Sequence, residues 1–175
     1  MKTLVILVHP DMENSRINKS WKEELEKYPD KITIHELYKK YPDWNIDIKK
    51  EQELILKHDN IIFEFPLYWY SSPPILKKWL DDVLSFNWAY GNEYRLKGKN
   101  IGFAVSVGGP ETEYSKTGSV KFSMNEILIP FEATVEYIKA NLISHYILFD
   151  ATESLSEEKL LESTKNYVKH IFSIK

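Results

Sequence analysis

Ile61-Ile62-Phe63-Glu64-Phe65-Pro66-Leu67-Tyr68-Trp69-Tyr70-Ser71-Ser72-Pro73-Pro74-Ile75-Leu76-Lys77-Lys78-Trp79-Leu80 passes from one regular element to another across a break that can be read residue by residue. Ile61 to Phe65 has the length and character of a strand, and Pro66 closes it because proline has no N–H to give to a sheet ladder. Ile75, Leu76, Trp79, Leu80, Val83 and Leu84 then recur on one helical face, and Pro73-Pro74 stand at the first turn, where proline is tolerated. The joining loop carries three aromatics in a row, Tyr68-Trp69-Tyr70, where a packed element would alternate. Two readings are open: one or two of them pack under the helix with the rest left as surface, or the rings serve a flat ligand at the sheet edge.

The same order of strand, loop and helix extends both ways. Leu4-Val5-Ile6-Leu7-Val8 is a continuous apolar run, as in a parallel strand buried on both faces. Ser15 is placed to cap a following helix, in which Ile17, Trp21, Leu25 and Tyr28 recur until Pro29-Asp30 stops the pattern. Ile32-Thr33-Ile34 opens a second strand reaching Leu37, and Glu51 to Lys57 reads as a short polar helix. Downstream, Ile101 to Val107 reads as a fourth strand ending at Gly108-Gly109-Pro110. A helical region from about Phe122 is interrupted at Pro130, and Ile143 to Phe149 reads as a fifth strand. Ser156 caps a last helix with Glu157-Glu158 in its first turn and Leu160, Leu161, Tyr167, Val168 and Ile171 on its apolar side. Five strands alternating with five helices predict an α/β fold, a doubly wound parallel sheet in a single domain over 1–175, because parallel neighbours need crossovers.

Cysteine is absent from the 175 residues, which excludes disulfides, thiolate metal sites and cysteine nucleophiles. The N-terminal apolar run is too short for a signal peptide and no stretch approaches a membrane span, so the expected location is cytoplasmic. The net charge of -3 comes with lysines interleaved among acids, which argues against a nucleic-acid partner. Aromatics at 14% exceed what a core of this size requires, and flat rings suit a planar cofactor.

In open parallel sheets ligands bind beyond the carboxyl ends of the strands. Three loops qualify: His9 to Ser15, Pro66 to Pro73 and Gly108 to Gly118. The G-x-G-x-x-G fingerprint and the P-loop are both missing, since none of the 6 glycines follows the first strand. Asn14, Ser15 and Asn18 instead surround a helix start, where free N–H groups and the helix dipole can hold a phosphate; a plain capping role for Ser15 is the alternative. Ser106-Val107-Gly108-Gly109 lets backbone N–H groups approach a flat ligand. Ala104-Val105-Ser106-Val107-Gly108 imitates a nucleophile elbow followed by Asp150 and His170, but Gly109-Pro110 does not open a helix and His170 falls inside one. The remaining histidines, His35, His58 and His145, show no metal spacing.

Pro66-Leu67-Tyr68-Trp69-Tyr70 with Pro73-Pro74-Ile75-Leu76-Lys77 and Trp79, then Trp88-Ala89-Tyr90-Gly91, resembles the NAD(P)H:quinone oxidoreductase (DT-diaphorase) family. The likeness is closest to its short bacterial members, including the ancillary flavoprotein of glutathione-gated potassium efflux systems, which has a segment similar to Tyr41-Pro42-Asp43-Trp44-Asn45-Ile46-Asp47. The resemblance implies a flavodoxin-like fold with a five-stranded sheet of order 2-1-3-4-5, a noncovalent FMN or FAD, NAD(P)H as co-substrate, ping-pong transfer to a quinone, and a homodimer with interfacial sites. By position it implies that His9, Ser15, Ile17 and Asn18 surround the flavin phosphate and ribityl chain. Pro66, Leu67, Tyr68, Trp69 and Tyr70 match the segment at the ring, and Ser106, Val107, Gly108 and Gly109 the segment along its pyrimidine edge. Tyr70 and Tyr90 belong to the substrate pocket. Tyr114 matches a tyrosine that answers charge on the reduced ring, but a histidine expected six residues later is replaced by Val120, which leaves Tyr114 with the N–H groups of Gly108 and Gly109 for that task. The chain lacks the insertion that holds adenosine in the mammalian members, which favours FMN. Two other functions stay open: a regulatory subunit of a potassium efflux transporter, at the inner face of the cell membrane, and a flavodoxin-type electron carrier.

Overall fold

The computed structural model describes residues 1–175. Its strands are β1 (Thr3–Leu7), β2 (Ile32–Glu36), β3 (Asn60–Pro66), β4 (Asn100–Ser106), β5 (Asn141–Leu142) and β6 (Tyr146–Leu148). Between them run α1 (Ile17–Leu25), α2 (Leu37–Lys40), α3 (Ile48–Leu56), α4 (Pro74–Val83), α5 (Met124–Tyr137) and the closing α6 (Glu157–Ser173). All strand pairs are parallel, in the order β2-β1-β3-β4-β5, with β6 paired to the far part of β4. This is the flavodoxin-like order expected from the resemblance.

Every residue of β1, β3 and β4 is buried, which is why these strands read as unbroken runs. Alternate side chains divide between two cores. Ile61, Phe63 and Phe65 join Trp79 of α4 and Leu128 and Phe131 of α5 on one face. Val5, Ile62 and Ala104 join Trp21 of α1 and Tyr167 and Ile171 of α6 on the other.

The structure departs from the sequence reading at a few points. The fifth strand is split, because Ile143 crosses over Gly102, where a Cβ would stand 2.7 Å from Ile143 Cγ1. Helix α5 is not interrupted at Pro130. The proline lies on its exposed side and removes one N–H only, and Thr134 Oγ1 donates to the Pro130 carbonyl at 2.9 Å. The polar helix starts earlier than expected, at Ile48, where the Asp47 side chain accepts from Lys50 N. Leu161 faces solvent rather than the core.

The amino ends of the strands are tied by a row of side chains in register. Asn60 Nδ2 donates to Thr3 Oγ1 (3.2 Å), Asn100 Nδ2 to Asn60 Oδ1 (2.9 Å) and Asn141 Nδ2 to Asn100 Oδ1 (3.2 Å). The carboxyl ends carry the open loops.

Candidate functional site

Chain segments leaving β1, β3, β4 and β6 meet around a cleft of about 490 Å³, within the ~300–1,000 Å³ usual for small-molecule sites. His9, Ser15, Asn18, Leu67, Tyr68 and Gly108 are among its walls.

Ser15 does not cap α1. The cap position is Arg16, itself helical, and no side chain bonds the first turn. The backbone N–H groups of Arg16, Ile17 and Asn18 therefore donate to no protein acceptor, and they form the positive end of a helix dipole facing the cleft. Ile17 offers only that N–H, since its side chain is buried in the core. Arg16 gives its guanidinium to the Glu153 and Leu155 carbonyls and the Glu157 carboxylate, and so fastens the start of α1 to the segment leading into α6.

His9 follows β1. Its Nδ1 accepts from Asp11 N at 3.1 Å, which leaves the ring hydrogen on Nε2. Burial lowers its pKa from the ordinary value against the pull of Asp11. Asp11 in turn accepts from Asn14 N (3.2 Å) and Asn14 Nδ2 (2.8 Å), and these bonds hold its carboxyl below the usual range. The loop is thus shaped by its own side chains.

The floor of the cleft is polar and buried. Ser106 Oγ donates to Asn18 Oδ1 at 3.1 Å, and Asn18 Nδ2 reaches Glu64 Oε1 at 3.4 Å. Tyr167 OH donates to Glu64 Oε2 at 3.1 Å. The Ser106 hydroxyl is committed to Asn18 and His170 lies on α6, so no hydrolase triad forms. The sequence placed Glu64 in a strand and Tyr167 on the apolar side of a helix, but gave neither a part in the site. A lone acid in an apolar strand was the available signal for Glu64.

The aromatic loop is a two-residue turn. Tyr68 N donates to the Ser71 carbonyl and Ser71 N returns to the Tyr68 carbonyl, while Trp69 (φ 46°) and Tyr70 (φ 60°) are both left-handed. Such a turn ordinarily takes Asn-Gly, so two aromatic residues hold it at a cost of ~1–3 kcal/mol each. Tyr68, Trp69 and Tyr70 are 41%, 93% and 49% exposed. None of the three is core, and packing does not explain them.

In the third loop an added Cβ on Gly108 would meet nothing within 4 Å. On Gly109 it would stand 3.0 Å from Glu113 Oε2 and 3.6 Å from the Tyr114 hydroxyl. Burial raises the Tyr114 phenol above its ordinary pKa, with Tyr70 and Glu113 adding to the effect. Val120 N donates to the Glu113 carbonyl (3.1 Å), and no imidazole stands in its place. Val107 offers the cleft nothing: its side chain is buried, its N–H goes to the Leu148 carbonyl and its carbonyl to Ala151 N.

Tyr90 lies apart from the α1 cleft. With Tyr70, Phe131 and Tyr137 it lines a neighbouring cleft of about 440 Å³ between α4 and α5. The aromatic turn separates the two, Tyr68 facing one and Tyr70 the other.

Residues 1–171 match a family model described as having a flavodoxin-like fold. The chain is 46% identical over 175 residues to the uncharacterized NAD(P)H oxidoreductase YdeQ of Bacillus subtilis (strain 168), spanning 99% of this chain and 88% of that one. It is 39% identical over 158 residues to the glutathione-regulated potassium-efflux system ancillary protein KefG of Cronobacter sakazakii, spanning 89% and 85%. The crystal structure of general stress protein 14 from Treponema denticola in complex with FMN aligns with a TM-score of 0.96 at 38% identity over 100% of both chains.

Proposed function

The chain belongs to the flavodoxin-like fold family, and we propose on that premise that it is an FMN-dependent NAD(P)H oxidoreductase that reduces a quinone-like acceptor. The observation that carries the reading is the uncapped start of α1 facing the exposed aromatic turn across one cleft. A phosphate fits the first and a flat ring the second. The likeness to the FMN complex and to an NAD(P)H oxidoreductase supports both halves.

In this reading Ser15, Asn18 and the free N–H groups of Arg16 to Asn18 hold the phosphate, with His9 Nε2 as a further donor. Pro66, Leu67 and Tyr68 lie along the ring on the phosphate side, Trp69 and Tyr70 cover its outer part, and Gly108 and Gly109 present N–H donors at its pyrimidine edge beside Ser106, whose hydroxyl is held by Asn18. When bound, FMN supplies a centre that takes a hydride from NAD(P)H and passes two electrons on. Tyr114 keeps its proton because burial disfavours the phenolate, and its hydroxyl donates where negative charge gathers. With one cleft open to both NAD(P)H and the acceptor, the two would enter in turn, in a ping-pong order. Tyr70 and Tyr90 form a flat-walled entry for the acceptor. Phe86 and Tyr137 stand exposed beside Tyr90, and a second copy of the chain covers them in a homodimer.

Four measurements test this. Purified protein should be yellow, release FMN on denaturation, and oxidise NADH or NADPH with menadione as acceptor. A colourless protein that takes up no added FMN sinks the proposal. Tyr114→Phe should slow reduction by NAD(P)H in stopped flow by about tenfold or more, and an unchanged rate removes Tyr114 from the mechanism.

A second reading has its own support in the likeness to KefG: regulation of a potassium efflux transporter by a cytoplasmic protein docked at the membrane. No helix is long and apolar enough to cross a membrane. Co-purification with the transporter from membranes, with no turnover of quinones by the isolated protein, would favour this role.

A further inference from the structure

Glu64 is fully buried in the middle of the sheet, where Leu7 of β1 and Ala104 of β4 flank it in register. The groups that face it are neutral: Asn18 from α1 and Tyr167 from α6, the latter stacked on Tyr146 of β6. No lysine, arginine or histidine pairs with it. A carboxylate in such surroundings is costly, and the cheaper state keeps the proton.

Asn18 connects this acid to the cleft. Its Oδ1 takes the Ser106 hydroxyl hydrogen and one Nδ2 hydrogen points to Glu64. When Glu64 is protonated its proton sits on Oε2 and the Tyr167 oxygen, 3.1 Å away, accepts it, so Oε1 stays the acceptor for Asn18 Nδ2 and the amide keeps this orientation. The other Nδ2 hydrogen has no protein partner, and Asn18 and Ser106 both line the cleft.

We propose that Glu64 is a positioning residue for the phosphate end of FMN: protonated, it orients Asn18 and adds no negative charge behind the cradle, and loss of that proton weakens FMN binding. The inference rests on the FMN reading above. Ionised Glu64 stands one side chain behind the bound phosphate, in a medium that screens poorly. By linkage, FMN must favour the protonated acid and raise its pKa further. Burial already pushes Glu64 up to about 8, against the bonds from Tyr167 and Asn18. Affinity is therefore full below that pH and falls as pH rises through it. Other groups at the cradle change charge elsewhere: His9 below its ordinary value, Tyr68 and Tyr114 above theirs, and a phosphate monoester near ~6.

The test titrates FMN and riboflavin, which shares the ring and ribityl chain but has no phosphate, into parent and Glu64→Gln protein from pH 7 to 9.5, read by flavin fluorescence. The parent's Kd for FMN should rise by about tenfold or more, riboflavin should hold steady, and Glu64→Gln should give a flat FMN profile. A flat parent profile, an equal fall for riboflavin, or the same fall in Glu64→Gln overturns the proposal. Calorimetry at pH 8.5 in two buffers of different ionisation heat needs no variant. It should show proton uptake with FMN and none with riboflavin, and no uptake with FMN also overturns it. Tight FMN binding without pH dependence leaves the oxidoreductase reading standing and removes this one, whereas absence of FMN binding at pH 7 removes both.

Discussion

Gly108→Leu protein is expected to melt as the parent does and to lose FMN affinity by about a hundredfold or more, because the new side chain fills the cleft and nothing else. A Cβ at Gly108 meets no atom within 4 Å, so the fold gives up no packing to admit it. The same freedom places the added atoms on the floor between the start of α1 and the aromatic turn. Gly109→Leu is the informative contrast, since its side chain collides with Glu113 and Tyr114 and displaces the hydroxyl rather than filling the cleft. Thermal melts and flavin fluorescence titrations separate the two. If Gly108→Leu binds FMN as tightly as the parent, the ligand lies elsewhere.

Glu51→Ala should have the largest effect on stability, about 3–5 kcal/mol and on the order of 10 °C in melting temperature. Glu51 is a buried carboxylate at the centre of a polar knot. Tyr41 OH donates to its Oε1 at 2.7 Å and Trp79 Nε1 to its Oε2 at 2.7 Å. His35 Nε2 stands 2.9 Å from Oε1 at an angle too poor for a full hydrogen bond. These contacts join α3 to β2, to α4 and to the segment at Tyr41. Truncation opens a cavity and leaves the indole N–H and the phenol unpaired in the core. Burial by itself would raise the Glu51 pKa, but His35, Tyr41 and Trp79 together hold it below the ordinary value. Its folded value is thus below its unfolded one near ~4.3, so its contribution is present above that pH and lost as pH falls through the folded value. The gap between parent and Glu51→Ala melting temperatures, read by circular dichroism, should narrow at pH 3. A gap at pH 7 no larger than that of a surface alanine substitution removes the knot as a source of stability.

What could be read in the sequence, and what could not, divides by range. The runs at Leu4 to Val8 and Ile61 to Phe65 announce buried parallel strands because burial on both faces leaves no polar alternation. The face of α4 from Ile75 to Val83 is equally plain, its periodicity being set by one helix against one core. The split at Ile143 was hidden, for it depends on the missing Cβ of Gly102 far away in the chain. The left-handed turn at Trp69 and Tyr70 runs against local preference, which would have placed Asn or Gly there. Ser15 misled for a related reason: a serine before a helix normally satisfies the first N–H groups, and here they are left free. Asn18 was legible as a polar residue near a helix start, but not its tie to Glu64, 46 residues away. Val107 illustrates the limit of reading a motif as a block, since neighbours in sequence face opposite ways at a strand end.

The row of Thr3, Asn60, Asn100 and Asn141 across the amino ends of the strands bears on how such a chain can change over generations. Register is pinned at the pole opposite the cleft, so the loops at the other pole are not needed to keep the strands aligned. Exchange of the segment between Pro66 and Pro73 for one of another length or chemistry should leave the scaffold intact while altering which acceptor is admitted. On the proposed reading, the molecule keeps its blueprint at one end and its vocabulary at the other, so that acceptor choice is open to revision without a new fold.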